Sequence, residues 1–206
     1  IRVSHLGFAD EESEEKAQWL LKAVDEGGCA CWITNTVGRA QQIFEVLRSK
    51  PARDVDLMLL HARFPLEQRQ ELEQELTAKY GPGRDRPMKG IVVGTQVLEQ
   101  SLDLDFDVLV TDLAPVDALL QRAGRIHRHR RSRPDSFQVP GLMVGGFGWL
   151  ENGDPAIPRG SGFVYSPWIL LRTLASLPGQ IEVPGEVGPL IDMVYGEKPI
   201  DVPWSH

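Results

Sequence analysis

Arg125 and Arg128 stand three residues apart in the segment Gln121-Arg122-Ala123-Gly124-Arg125-Ile126-His127-Arg128. On a helical turn they share a face with Gln121 and point together. With no fixed carboxylate beside them, two converging guanidiniums need an anionic partner, and their fork suits phosphate. The alternative is an exposed arginine-rich helix without a ligand. Upstream, Gly94-Thr95-Gln96-Val97-Leu98-Glu99-Gln100-Ser101-Leu102-Asp103 has the polar spacing of a loop with a short helix. Here the alternative is a capping threonine and a solvated aspartate. A third segment, Thr34-Asn35-Thr36-Val37, stands where an apolar run meets a helical stripe. Its hydroxyl and amide groups could help a helix N-terminus hold phosphate, or could cap that helix with no ligand at all.

Such residues act only if the fold brings them to one place. Periodicity predicts a helix from Asp10 to Glu26, with Ala17, Leu20, Leu21 and Val24 at helical spacing and Gly27-Gly28 as its stop. A buried strand follows at Cys29–Thr34, then a helix at Val37–Arg48 with the stripe Ala40, Ile43, Phe44 and Leu47. Further strands are expected at Val55–Leu60, Ile91–Val93, Val108–Asp112 and Gly141–Val144. Helices are expected at Leu66–Tyr80, Asp117–Ile126 and Ser166–Leu177, and surface chain at Gly81–Gly90 and Gly145–Gly162. Strands alternating with helices over about 140 residues predict an α/β fold, a parallel sheet with helices on both faces. The carboxyl ends of its strands open on one edge, and each segment above follows a strand. We divide the chain into a lobe at 1–150 and a Gly/Pro-rich extension at 151–206. Pro178–His206 shows little periodicity and reads as a wrapped extension or linker.

In order and separation, the three segments resemble motifs IV, V and VI of superfamily 2 helicases, in which a second RecA-like lobe carries them. The chain is also similar to the CRISPR-associated helicase–nuclease of type I systems. That narrower resemblance adds Leu60-His61-Ala62-Arg63-Phe64, Asp112-Leu113-Ala114-Pro115, Val164-Tyr165-Ser166-Pro167 and Ile191-Asp192-Met193-Val194-Tyr195-Gly196. The family usually has serine where Ala62 stands.

The resemblance implies a motor lobe that works with ATP and Mg2+ on single-stranded DNA. Gln121, Arg125 and Arg128 would face the triphosphate, the two arginines as fingers, with Asp103 at the ribose. Asn35, Thr36, His61, Arg63, Thr95 and Gln96 would meet the DNA, Thr95 at a strand phosphate. The phosphate loop and magnesium carboxylates belong to a first lobe, and their motifs do not occur in this sequence. The implied partners are that first lobe, a nuclease domain and the guide-RNA surveillance complex (Cascade). Two rivals are another superfamily 2 helicase and a non-catalytic nucleic-acid-binding module.

Composition limits these readings. The 206 residues carry a net charge of −7, which by itself opposes nucleic-acid binding, yet six arginines and two histidines crowd Arg122–Arg133. Arg130, Arg131 and Arg133 lie beyond the motif and read either as a solvated basic turn or as a contact for nucleic acid. His127 and His129 lie in that arginine run with no carboxylate nearby in sequence, which does not suggest a metal site. Cys29 and Cys31 alternate along one strand and read as buried thiols in a reducing cytoplasm. No apolar run reaches the ~20 residues a membrane span needs.

Overall fold

The computed structural model describes residues 1–5, 13–50, 54–83, 85–99 and 102–200. Six parallel strands form one sheet: β1 (Arg2–His5), β2 (Gly28–Ile33), β3 (Asp56–Leu60), β4 (Lys89–Gly94), β5 (Val108–Asp112) and β6 (Gly141–Gly145). Their order is β1-β6-β5-β2-β4-β3. The central strand β2 is buried along its whole length, as two covered faces require. Its side chains alternate: Cys29, Cys31 and Ile33 enter one core, Ala30 and Trp32 the other.

Helices α1 (Ser13–Ala23) and α2 (Val37–Ser49) cover the second face with Ala17, Leu20, Ala40, Ile43 and Leu47. On the first face lie α3 (Leu66–Tyr80) and α4 (Val116–Ala123), which bury Leu76, Tyr80, Val116 and Leu119. Trp32 is fully enclosed. Burying a large apolar side chain of this kind contributes about 1.5–3 kcal/mol. The expected α/β sheet with helices on both faces is therefore present. Residues 10–12 of the predicted first helix lie outside the described residues.

Four expectations need correction. The N-terminal residues add the edge strand β1, whose single buried side chain, Val3, leaves almost no pattern to read. It pairs with β6, and Val3 N–H donates to Gly179 O at 2.9 Å. Helix α4 ends at Ala123 rather than Ile126. Gly124 caps it, and Phe106 then pairs with Ile126 in a strand-like bridge that draws the chain out of the helix. The loop Gly145–Gly162 holds a short antiparallel pair, β7 (Gly148–Trp149) and β8 (Pro155–Ala156), and the start of α5 (Arg159–Val164). The tail contains α7 (Val187–Tyr195), which packs with α4 and with α6 (Pro167–Ser176) through Leu190 and Val194. Among the described residues no helix is long and apolar enough to cross a membrane.

Candidate functional site

Strand β2 lies between β5 and β4, and the chain moves to opposite sides of it. In an open α/β sheet, ligands bind outside the carboxyl ends of the strands at such a reversal. Thr34, Asn35 and Thr36 leave β2 there, His61 leaves β3, Thr95 and Gln96 leave β4, and Asp112 ends β5. Asp112 ties the edge together. Its carboxylate accepts from Asn35 N–H and from Arg39 Nε, both at 3.0 Å. Burial raises the Asp112 pKa above the ordinary carboxylate value, although Arg39 and the Asn35 N–H pull it back. Gly146 passes so close at φ +71° that a Cβ would lie 2.7 Å from that carboxylate, so the turn needs glycine.

The residues predicted to meet DNA share this edge but differ in access. Arg63 is exposed, Thr36 and Gln96 are half-buried, and Asn35, His61 and Thr95 are buried. Asn35 is occupied internally: its Nδ2 donates to Leu113 O at 2.7 Å and to Ser161 Oγ at 3.0 Å. Thr36 caps α2, accepting from Arg39 N–H at 3.3 Å. Thr95 makes no side-chain cap bond, and its N–H is committed to Leu60 O at 3.2 Å. Gln96 Nε2 donates to Asn35 O at 3.0 Å and to the Tyr165 hydroxyl at 3.3 Å. His61 stacks on Phe64 at 4.2 Å, and burial lowers its pKa.

The second predicted group forms a separate cluster. Arg128 Nε donates to Asp103 Oδ1 at 2.5 Å, and His129 Nε2 lies 3.1 Å from the same oxygen. Burial raises the Asp103 pKa, but Arg128 and His129 outweigh it and leave it below the ordinary value. Arg125 is buried, and its guanidinium clasps the carbonyls of Leu102 and Glu99 (2.6 Å to the latter). Gln121 is exposed near the end of α4.

Two premises of the sequence reading therefore fail. Arg125 and Arg128 lie beyond the helix rather than on one helical face, and Arg128 has a carboxylate beside it. His129 likewise has Asp103 as a neighbour, although that carboxylate is shared with Arg128. Gln100 and Ser101 lie outside the described residues.

Sequence reasoning missed Arg122. It is the one fully buried arginine among the described residues, and it joins three segments. Its guanidinium donates to Glu99 Oε1 (2.7 Å from Nε), to Thr111 Oγ1, to Asp112 O at 3.0 Å and to Asn35 Oδ1 at 3.4 Å. Its place inside the arginine motif was the available signal, but the motif alone does not say which arginine turns inward.

Arg131 and Arg133 need a second correction. They are not a solvated turn. Arg131 Nε lies 2.6 Å from Asp105, and Arg133 pairs with both Asp105 and Asp107. Arg86, from the expected surface turn, joins them at 3.0 and 2.6 Å. Asp107 also accepts from Cys29 N–H at the start of β2, which puts this cluster at the edge opposite Thr95. Among the described residues, no group of three or more His, Cys, Asp or Glu side chains could hold a metal ion.

The parallel sheet with its three loop motifs is a RecA-like α/β lobe of the helicase C-terminal type. Residues 26–131 match the family described as CRISPR-associated nuclease/helicase Cas3, C-terminal, and the chain belongs to that family. It is 40% identical over 176 residues to the CRISPR-associated nuclease/helicase Cas3 of Streptococcus thermophilus, covering 85% of this chain and 18% of that protein. The structure of T. fusca Cas3-ADP superposes with a TM-score of 0.87 at 36% identity, over 95% of this chain and 24% of that one. A second similar structure, at 35% identity and TM-score 0.81, is that of a CRISPR RNA-guided surveillance complex, pre-nicking, with 95% and 25% covered. The chain thus spans about a fifth to a quarter of the length of these relatives.

Proposed function

We propose that this chain is the second motor lobe of an ATP-driven single-stranded DNA translocase that works beside a nuclease domain in RNA-guided interference. Residues 1–150 form the lobe, and 151–206 the extension that braces it. ATP with Mg2+ would lie between this lobe and a first lobe whose carboxylates hold the metal. Here Arg128 would face the phosphates with Arg125 behind it on the Glu99 and Leu102 carbonyls, Asp103 the ribose, and Gln121 the rim of the cleft. The DNA backbone would run along Thr36, Arg63, Thr95 and Gln96, with Asn35 and His61 shaping the edge from beneath. Backbone contacts suit a motor that must accept any sequence.

One observation carries this reading. Arg125 holds the Glu99 and Leu102 carbonyls, which lie in sequence between Thr95, assigned here to the DNA, and Asp103, assigned here to the nucleotide. A shift of the arginine segment on lobe closure would move both residues. The surveillance complex seen with a similar protein supports a guide-RNA complex as partner, and a reducing cytoplasm suits the two free thiols. The test is ATPase and unwinding by the full-length enzyme. Arg128→Ala should nearly abolish both, and near-normal turnover would refute the reading.

A further inference from the structure

Between Arg125 and Arg128 the backbone takes an unusual course. His127 has φ +52°, in the left-handed region that side-chain-bearing residues rarely adopt. Neighbouring chain holds it there. Phe106 N–H donates to Arg125 O at 2.8 Å, and His127 N–H donates to Phe106 O at 3.0 Å. The next residue is held by a side chain: Arg128 N–H donates to Asp105 Oδ1 at 2.8 Å.

Asp105 has no exposed surface, and three arginines surround its carboxylate. Arg86 Nη1 is 3.0 Å from Oδ2, Arg131 Nε 2.6 Å from Oδ2, and Arg133 Nη2 2.8 Å from Oδ1. A carboxylate bound on so many sides has little freedom to move, and it transmits that rigidity to the amide it accepts from. Asp103, two residues earlier in the same segment, holds the side chain of Arg128. One short segment therefore fixes this arginine twice, by backbone and by guanidinium.

We propose that Asp105 is a positioning residue for Arg128: it sets the backbone from which that side chain reaches the nucleotide. The inference rests on the finger reading above. Arg86, Arg131 and Arg133 serve it as a buried counter-charge shell, with no part in nucleic-acid binding. A misplacement of about 1 Å can cost about 10²-fold in rate.

The test uses the full-length enzyme with saturating ATP, Mg2+ and single-stranded DNA. Asp105→Ala should lower kcat at least tenfold while KM for ATP changes less than threefold. Asp105→Asn keeps an oxygen to accept the Arg128 N–H and should recover most of that loss. Arg172→Gln removes a buried guanidinium of α6 that donates to Val194 O at 2.6 Å and to Met193 O at 2.7 Å, outside the Asp105 cluster. It should lower the unfolding midpoint yet keep kcat within threefold of the parent.

If Asp105→Ala and Arg172→Gln lose kcat equally, Asp105 is merely structural and the proposal fails. Hydrogen exchange on the unmodified enzyme covers the case of a variant that does not fold. A peptide over residues 126–129 should exchange as slowly as β5, and rapid exchange there overturns the proposal. Arg128→Ala is measured alongside. If it keeps turnover, the finger reading and this inference both fall. If it is inactive while Asp105→Ala matches the parent, only this inference falls.

Discussion

Arg122 Nε donates to Glu99 Oε1 at 2.7 Å, joining the end of α4 to the loop after β4 with both side chains buried. Burial raises the Glu99 pKa, and Arg122 opposes that rise. Truncating one partner leaves the other as an uncompensated buried charge, at a cost of about 3–5 kcal/mol, whereas replacing both with apolar side chains avoids that penalty. Arg122→Met should therefore lower the urea midpoint sharply, and Arg122→Met with Glu99→Leu should recover part of the loss. A double variant as unstable as the sum of the singles would show that the pair is not coupled.

The 206-residue chain by itself should neither hydrolyse ATP nor bind it tightly. It contains no phosphate loop, and the guanidinium of Arg128 is already paired with Asp103. Exposed ion pairs of this kind are worth only about 0–1 kcal/mol, so an isolated arginine holds a phosphate weakly. Steady turnover by the pure chain, unchanged by Arg125→Ala, would contradict its reading as one lobe of a two-lobe motor.

In the intact motor, Thr95→Ala should weaken DNA-stimulated ATPase more than basal ATPase. Because the Thr95 N–H is spent on Leu60 O, only the hydroxyl is available to a strand phosphate. The expected loss is about 0.5–2 kcal/mol, the scale of one hydrogen bond. A DNA titration with unchanged stimulation would rule this contact out.

Acid should destabilise the chain through the buried His61 and the half-buried His127. Burial lowers the pKa of His61 and His127 below 6.5, and Arg133 adds to the effect on His127. Below that value the unfolded chain takes up more protons than the folded one, so stability falls as pH drops from about 7 towards 5. Urea midpoints at the two pH values give the size of the drop, and His61→Phe should reduce it. A His61→Phe variant that loses as much stability as the parent would remove His61 from this account.

The elements that the sequence announced are those with strong periodicity. Helix α2 spans Val37–Ser49 as its stripe Ala40, Ile43 and Leu47 predicts, and β2 follows its apolar run. Strand β1 was hidden because it buries only Val3, and helix α7 because Gly188 and Pro189, both poor helix formers, stand in its first turn. Their places depend on docking against β6, α4 and α6, which no local pattern encodes. The site was legible as three segments at strand ends, but its wiring was not. Which arginine of Arg122, Arg125 and Arg128 turns inward depends on carboxylates and carbonyls more than twenty residues upstream, in the Glu99–Asp103 loop. The end of α4 depends on the Phe106 bridge in the same way.

Arg130, Arg131 and Arg133 fall within one four-residue stretch and should behave differently. Arg130 is exposed, whereas Arg133 is only 6% exposed in its side chain and Arg131 17%. A plain basic patch would lose DNA affinity and flatten its salt dependence whenever any of the three is neutralised. The ion cluster predicts instead that Arg131→Gln and Arg133→Gln lower the unfolding midpoint, by breaking pairs with Asp105 and Asp107. Any DNA effect should fall on Arg130→Gln. Arg128→Ala should differ from all three, losing turnover at saturating DNA by a finger's factor of about 10³–10⁵ while strand affinity changes little. One series of urea midpoints, strand affinities at two salt concentrations and ATPase rates on the full-length enzyme separates these cases. If Arg133→Gln kept its stability and shed its salt slope, the buried-cluster account would be wrong and the basic patch would stand in its place.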